Sequence, residues 1–455
     1  MIKLYNTLTR QKDELKPLKA GQVSFYNCGL TVYSQPHIGN WVGYIYWDVL
    51  TRLLGHHGLQ VNRVQNITDV GHLTSDDDAG EDKMEKGARS EGLTAWDVAE
   101  KYIAIADHEG YELLGLKQPK LIRATNLIDQ QIEFVKQLEK AGFTYEIPGD
   151  GLYFDTAKLK DYGKLAKLDI AGLEAGARVS VEGKKNITDF AVWKFSPEDQ
   201  KRDMEWDSPW GKGFPGWHLE CSVIAREGLG DQIDIHAGGV DHIPVHHTNE
   251  IAQTESLTGK QFAQIWLHNN HLRVNDSKMS KSLGNVYSLQ DILDKSFSLQ
   301  AFKLLILSKH YRTEGNFTWT ILEAAQNRLN NWQAVADRSW QLPGYDKDIS
   351  EDIVAALDDD LDTPKALAII DVYFDDVEKA GRAPAKDSLT CISDLLGIDL
   401  SSEDISSAQK LMLEQRRKAR DNKDWQKSDE LRDHLLKEGI GIKDTPQGQL
   451  WFKHV

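Results

Sequence analysis

The sequence predicts an α/β protein: a parallel sheet interrupted by an insertion, then a helical region, then a small mixed α+β end. Three observations carry this reading. A β-α-β pattern lies near the start, strand-type alternation returns near residue 231, and helical periodicity with few breaks runs on from about residue 287. Gln22-Val23-Ser24-Phe25-Tyr26-Asn27-Cys28 alternates apolar and polar residues as a strand does, and Gly29 ends it. From His37 to about Leu54, Val42, Ile45, Val49, Leu50, Leu53 and Leu54 recur at helical spacing until Gly55 and Gly58 stop the pattern. Val61 to Ile67 reads as the next strand and completes a β-α-β unit, whose ligands gather at the carboxyl ends of the strands. Residues from about 115 to 210 carry mixed short elements, a turn at Pro148-Gly149-Asp150-Gly151 and a loose stretch from Ala171 to Lys185, as an inserted domain would. Strand signals resume at Asp231 to His236, followed by a helix from about His246 to Leu257 and a strand around Phe262 to His268. Gly439 to Ile442 and Gln449 to Phe452 suggest a terminal hairpin.

A chain of 455 residues exceeds one ordinary core and points to roughly two to four domains. With 40% apolar and 27% charged residues and no long uncharged apolar run, a membrane span is not expected. Met1 to Asn6 lacks the apolar stretch of a secretory signal, and Cys28, Cys221 and Cys391 make no disulfide framework, so a cytoplasmic protein with free or metal-bound thiols is expected. The net charge of −16 means that any nucleic-acid contact must come from local basic surface.

Cys28 ends the first strand, where open α/β sheets present their ligands. Cys221 follows Gly216-Trp217-His218-Leu219-Glu220, and His246 and Glu250 stand four apart, on one face of a helix. Thiolate, imidazole and carboxylate together suit Zn²⁺. No CxxC pair makes the spacing diagnostic, so these residues alone also fit buried free cysteines beside a helix-surface pair, and His247 or His242 fits in place of His246.

Pro36-His37-Ile38-Gly39-Asn40 opens the first long helix, where free N–H groups and the helix dipole attract anions and Gly39 permits close approach. Lys278-Met279-Ser280-Lys281-Ser282-Leu283-Gly284-Asn285 sets two lysines three apart among hydroxyl residues, with a glycine that lets the loop move. Compact ammonium groups of this kind can neutralise β- and γ-phosphate oxygens. An ordinary helix start and a solvated basic loop are the alternatives for these two segments taken singly.

In this order the segments resemble the class I aminoacyl-tRNA synthetases, with His37 to Asn40 and Lys278 to Ser282 at the two signature motifs. Tyr26-Asn27-Cys28-Gly29, Gly216 to Ser222, His246 to Gln253 and His268 to Val274 resemble the cysteinyl-tRNA synthetases specifically, and the likeness covers nearly the whole chain. It implies a Rossmann-like catalytic domain at 1–115 and 211–290, an inserted connective domain at 116–210, a stem-contact region and helical bundle at 291–400 and an anticodon-binding domain at 401–455. It further implies one zinc ion per chain on Cys28, Cys221, His246 and Glu250, and catalytic roles for His37, Asn40, Lys278 and Lys281. ATP contacts fall to His37, Gly39, Asn40, Gly238, Gly239, Asp241 and Lys281, and a cysteine pocket to Gly29, Thr31, Thr68 and Trp217. Leu30, Ser34, Phe214 and Thr248 depart from the family's usual residues without removing a ligand or lysine, and the acidic 76–82 stretch, with Asp76-Asp77-Asp78, is longer than usual.

The expected reaction is activation of L-cysteine by ATP with Mg²⁺ to cysteinyl-adenylate and transfer to tRNA(Cys), by a monomer whose zinc tells the thiolate from serine's hydroxyl. The basic cluster Gln415-Arg416-Arg417-Lys418-Ala419-Arg420, with Trp425, Arg432 and Trp451, is suited to stack on or hydrogen-bond unpaired bases, or else forms a charged helix face over core tryptophans. The resemblance extends to Asp444-Thr445-Pro446-Gln447-Gly448 and favours the RNA reading. Two other functions are weighed: an ATP-dependent ligase joining cysteine to a small amine, and a non-catalytic zinc protein that binds RNA or nucleotide.

Overall fold

Period-two patterning at the start of the chain builds a sheet with two dissimilar faces. In the computed structural model, which describes residues 1–70, 82–168, 183–197, 202–280, 283–445 and 448–453, the chain folds as two units. The first comprises Met1–Trp47, Leu54–His271 and Tyr311–Glu314; the second comprises Asp48–Leu53, Leu272–His310 and Gly315–Val455.

In the first unit β1 (Lys3–Asn6) and β2 (Gln11–Glu14) pair as an antiparallel ribbon. There follow β3 (Gln22–Asn27), α1 (Ile38–His56), β4 (Gln60–Ile67), α2 (Lys83–Glu91), α3 (Ala95–Asp107) and a π-helical turn, His108–Leu113. Next come β5 (Lys120–Arg123), α4 (Ile128–Lys140), β6 (Thr144–Ile147), β7 (Gly151–Phe154), β8 (Phe190–Phe195) and β9 (Gly213–Pro215). Then α5 (Trp217–Leu229), β10 (Ile233–Gly239), α6 (His246–Thr258) and β11 (Ala263–Asn269) complete the unit. The parallel sheet has the order β11-β10-β3-β4-β5, so the two sequence-distant strand groups join with β3 beside β10. Alternation sorts the faces. Phe25 packs edge-on against Trp47 of α1, whereas Tyr26 lies 4.9 Å from the His236 ring on the opposite face. β6 to β9 make a separate antiparallel sheet, and the buried residues of β7, β8, α4 and α5 pack into one core with Cys28 and Cys221.

Two features of the fold were not visible in the sequence. β5 pairs in parallel with β4, Val64 opposite Lys120, so the main sheet reaches past residue 115 into the stretch expected to be insertion. Four residues are too few to display a period. β12 (Leu272–Val274), in the second unit, pairs in parallel with β13 (Gly315–Phe317), a long-range pairing invisible to local pattern.

The second unit continues as α7 (Leu289–Asp294), α8 (Leu299–Leu307), α9 (Trp319–Ala336), α10 (Ser350–Asp358), α11 (Thr363–Lys379) and α12 (Lys386–Leu396). It ends with α13 (Ser407–Asp421), α14 (Trp425–Lys437) and the hairpin β14 (Ile440–Thr445) and β15 (Gly448–Lys453). Two members of the proposed RNA-contact set are used internally instead. Arg416 is 1% exposed and donates to both carboxylate oxygens of Asp444 and to Gln449, while Trp451 is buried in the core of this end. A cation at that helix position faces the hairpin because neighbouring Leu413 and Ala419 share its buried side. Trp425 and Arg432 are exposed. No helix among the described residues is long and apolar enough to cross a membrane.

Candidate functional site

The carboxyl end of β3 delivers Cys28, whose amide donates to Ala237 O of β10. The second turn of α5 delivers Cys221, and the first two turns of α6 deliver His246 and Glu250. These four residues are buried, and their ligand atoms all lie within 4.8 Å of one another. His246 Nε2 stands 3.4 Å from Cys221 Sγ and 3.2 Å from Glu250 Oε1, and Cys28 Sγ lies 4.0 Å from the same carboxylate oxygen. The set expected from the sequence is therefore assembled.

A second set shares the place. Cys28, His236, His247 and Glu250 also bring their ligand atoms within 4.8 Å of one another. His247 Nε2 is 3.2 Å from Cys28 Sγ, and His236 Nε2 is 2.8 Å from Glu250 Oε2. His247 is one of the alternatives left open by the sequence; His236 was missed, and its place on a buried strand alternating with Ile235 and Ala237 gave the only signal. The outer nitrogens are held as well. His246 Nδ1 lies 2.9 Å from His218 Nδ1, and His247 Nδ1 lies 2.8 Å from His268 Nε2, whose Nδ1 meets Thr7 Oγ1 at 2.7 Å. Such partners fix the tautomer and aim the remaining nitrogen inward.

The electrostatics fit a cation. Burial pushes the Cys28 thiol well above its ordinary range, and contact with Cys221 and the charge of Glu250 push it further; burial raises Cys221 too. His247 is held neutral, chiefly by burial and then by the surrounding histidines. Two thiols, a carboxylate and imidazoles crowded together cannot all assume their ligating forms unless positive charge balances them, and a divalent ion supplies it. The donor chemistry, two sulfurs with nitrogen and carboxylate oxygen, matches zinc.

Around the cluster, Gly29 N donates to Asn66 Oδ1 at 2.6 Å, and a Cβ on Gly29 would collide with the Asn66 backbone carbonyl. Thr31 and Thr68 form a bridge, and Thr68 Oγ1 donates to the buried Glu220 Oε2 at 3.0 Å. The Trp217 ring lies 4.8 Å from His246. A Cβ on Gly238 would lie 2.7 Å from the His247 ring, and one on Gly239 would lie 2.3 Å from Asp241 Oδ1, so both glycines are needed for close approach. These residues line one side of the sheet's carboxyl edge.

At the start of α1, Asn40 Oδ1 accepts from His37 N at 2.9 Å, and His37, Gly39 and Asn40 are all partly exposed. Far along the chain, Glu109 of the π-helical turn accepts from Trp41 Nε1 at 3.0 Å and lies 3.5 Å from Gln35 Nε2, so it flanks the motif on both sides. In the second unit Lys278 is exposed, and Asn285 both accepts from Ser280 N and donates to Lys278 O, closing the loop over itself. Lys281 lies outside the described residues, as do Asp76 to Asp78 and Pro446 with Gln447.

Comparison with known proteins agrees over the whole length. Residues 14–327 match the family described as tRNA synthetases class I (C) catalytic domain, and residues 402–451 match the cysteinyl-tRNA ligase anticodon binding domain. A Burkholderia lata protein named cysteine–tRNA ligase 1 is 45% identical over 460 residues, covering 99% of this chain and 97% of that protein. A Treponema denticola cysteine–tRNA ligase is 38% identical over 499 residues, covering 99% of each. Among solved structures, a Mycobacterium tuberculosis methionyl-tRNA synthetase bound to methionyl-adenylate superposes with a TM-score of 0.56 over 83% of this chain and 88% of its own, at 14% identity, a likeness of fold.

Proposed function

The chain belongs to the cysteine–tRNA ligases, class I aminoacyl-tRNA synthetases, and from that premise we propose that a zinc ion on Cys28, Cys221, His246 and Glu250 selects cysteine by its thiolate. As members of this family do, the enzyme aminoacylates tRNA(Cys), with cysteine, ATP and tRNA as its partners. The observation that carries the zinc reading is the convergence of those four buried side chains from three separate elements.

Bound there, zinc supplies a Lewis acid that favours a thiolate over serine's harder, less acidic hydroxyl. The chain's own residues do the rest. Gly29 leaves room beside the cluster, Trp217 walls the pocket over His246, and Thr68, oriented by Glu220, faces the substrate together with Thr31. Gly238, Gly239 and Asp241 accept the adenosine part of ATP at the edge of β10. His37, Gly39 and Asn40 meet the phosphates at the N-terminus of α1, where the helix dipole favours anions. The cysteine carboxylate attacks the α-phosphorus of Mg²⁺-bound ATP, forming cysteinyl-adenylate and releasing pyrophosphate, while Lys278 and Lys281 neutralise charge on the departing oxygens. The terminal ribose hydroxyl of tRNA then attacks the activated carbonyl and expels AMP. The enzyme is proposed to act as a cytoplasmic monomer, with the catalytic, connective, bundle and anticodon-binding divisions expected from the sequence.

Cysteine-dependent ATP–pyrophosphate exchange tests this reading. Exchange should occur with cysteine and not serine, and chelation should abolish it until zinc is returned; exchange that survives complete zinc removal would refute the thiolate role.

A further inference from the structure

Asn66 is the last residue but one of β4, and Thr68 follows it at a spacing of two, which sets both side chains on the same face of the sheet edge. Both are buried. Asn66 Oδ1 accepts from Gly29 N at 2.6 Å and from the Tyr26 hydroxyl at 3.1 Å. Asn66 Nδ2 donates to Thr68 Oγ1 at 2.9 Å, and Thr68 Oγ1 donates to the buried Glu220 Oε2 at 3.0 Å. One buried amide thereby ties the backbone of Gly29 to the hydroxyl of Thr68, two members of the proposed cysteine pocket.

The direction of each bond in this chain follows from its first link. A backbone N–H only donates, so the Asn66 atom that it meets is the oxygen, and the atom turned toward Thr68 is the NH₂ group. That group only donates, so the Thr68 oxygen accepts from it and sends its own single proton to the Glu220 carboxyl. A hydroxyl carries one proton and two lone pairs, and among the described residues one lone pair of Thr68 Oγ1 is left over. A group that meets this lone pair must donate. Of the polar groups of cysteine, the carboxylate only accepts and the thiolate is given to the metal in the reading above; the α-ammonium only donates.

Resting on the cysteine pocket proposed above, we propose that Asn66 is a positioning residue: it locks the Thr68 hydroxyl as an acceptor, and that acceptor selects the α-ammonium group of the substrate. Asn66 touches no substrate atom and acts through Thr68. By accepting the Thr68 proton, the Glu220 carboxyl polarises the hydroxyl oxygen and strengthens its bond to a cation.

Titration calorimetry of the zinc-loaded full chain tests this by comparing L-cysteine with 3-mercaptopropionate, which keeps the thiol and the carboxylate and lacks the α-ammonium. Wild type should prefer cysteine, and Asn66→Ala should cut that preference about three- to tenfold while 3-mercaptopropionate keeps its affinity. A general loss of pocket shape would weaken both ligands together. Thr68→Val should reduce the preference by at least as much, and adding Asn66→Ala to it should change the preference no further, because the two residues act as one unit. Wild type also supplies a measurement that needs no variant: 3-mercaptolactate, whose α-hydroxyl can donate, should bind more tightly than 3-mercaptopropionate. Failure of cysteine to displace 3-mercaptopropionate from wild type would count against the shared pocket itself. Equal weakening of both ligands by Asn66→Ala, additive losses in the double variant, or no gain from the α-hydroxyl would each overturn the role of Asn66 and leave that pocket standing.

Discussion

Cys221→Ser should take the protein from about one bound zinc per chain to a small fraction of that, read by metal analysis after dialysis, because a hydroxyl is a poor substitute for thiolate at a soft site. Gly238→Ala tests the support of the cluster rather than its ligands. Its methyl would lie 2.7 Å from the His247 ring and 2.8 Å from His242 Nδ1, so zinc affinity should fall about 10- to 100-fold in a chelator competition while the fold persists. At this scale the sequence offered Cys28, Cys221, His246 and Glu250 in separate segments, and the structure brings the four together. The sequence did not show that His236 and His247 reach the same space. His247 follows His246 on the helix by about 100°, a step that ordinarily turns a neighbour away; only the close seating of α6 against β10 and β11 lets both rings point inward.

At the scale of elements, the Lys278 loop depends on one side chain that holds both its ends. Asn285→Ala removes the acceptor for Ser280 N and the donor to Lys278 O. The expected outcome is a raised KM for ATP in pyrophosphate exchange. Helix and strand identities were legible for the longer elements. α1 shows its apolar stripe over five turns, and the predicted β4 differs from the observed Gln60–Ile67 by one residue at its start. β5 escaped notice because Lys120-Leu121-Ile122-Arg123 is too short to carry a period and earns its strand conformation from the ladder to β4.

For the molecule as a whole, the C-terminal end buries some of its charges and aromatics, Arg416 and Trp451, and leaves others, Trp425 and Arg432, exposed. Arg416→Ala should destabilise this unit by about 1–2 kcal/mol in urea denaturation, since the cation is buried while its partner Asp444 remains partly exposed to water. Trp425→Ala, at an exposed site, should change stability by less than about 0.5 kcal/mol yet weaken tRNA binding measured by filter retention. Arg416 holds the Asp444 carboxyl below its ordinary range, so the pair's contribution is complete above the normal carboxylate pKa and is lost as the pH falls from there through the lowered value of the folded chain. The wild-type unit should therefore lose stability on acidification more steeply than Arg416→Ala, followed by thermal midpoint against pH. The sequence by itself determined the α/β class and offered the residue types of the candidate metal site, because periodicity and motif are local properties of the chain. Only the tertiary structure decided which face of α13 is core, that β12 joins the second unit, and that six side chains able to ligate a metal, rather than four, converge. Each of these depends on contacts between segments far apart in the chain, whose packing no local pattern encodes.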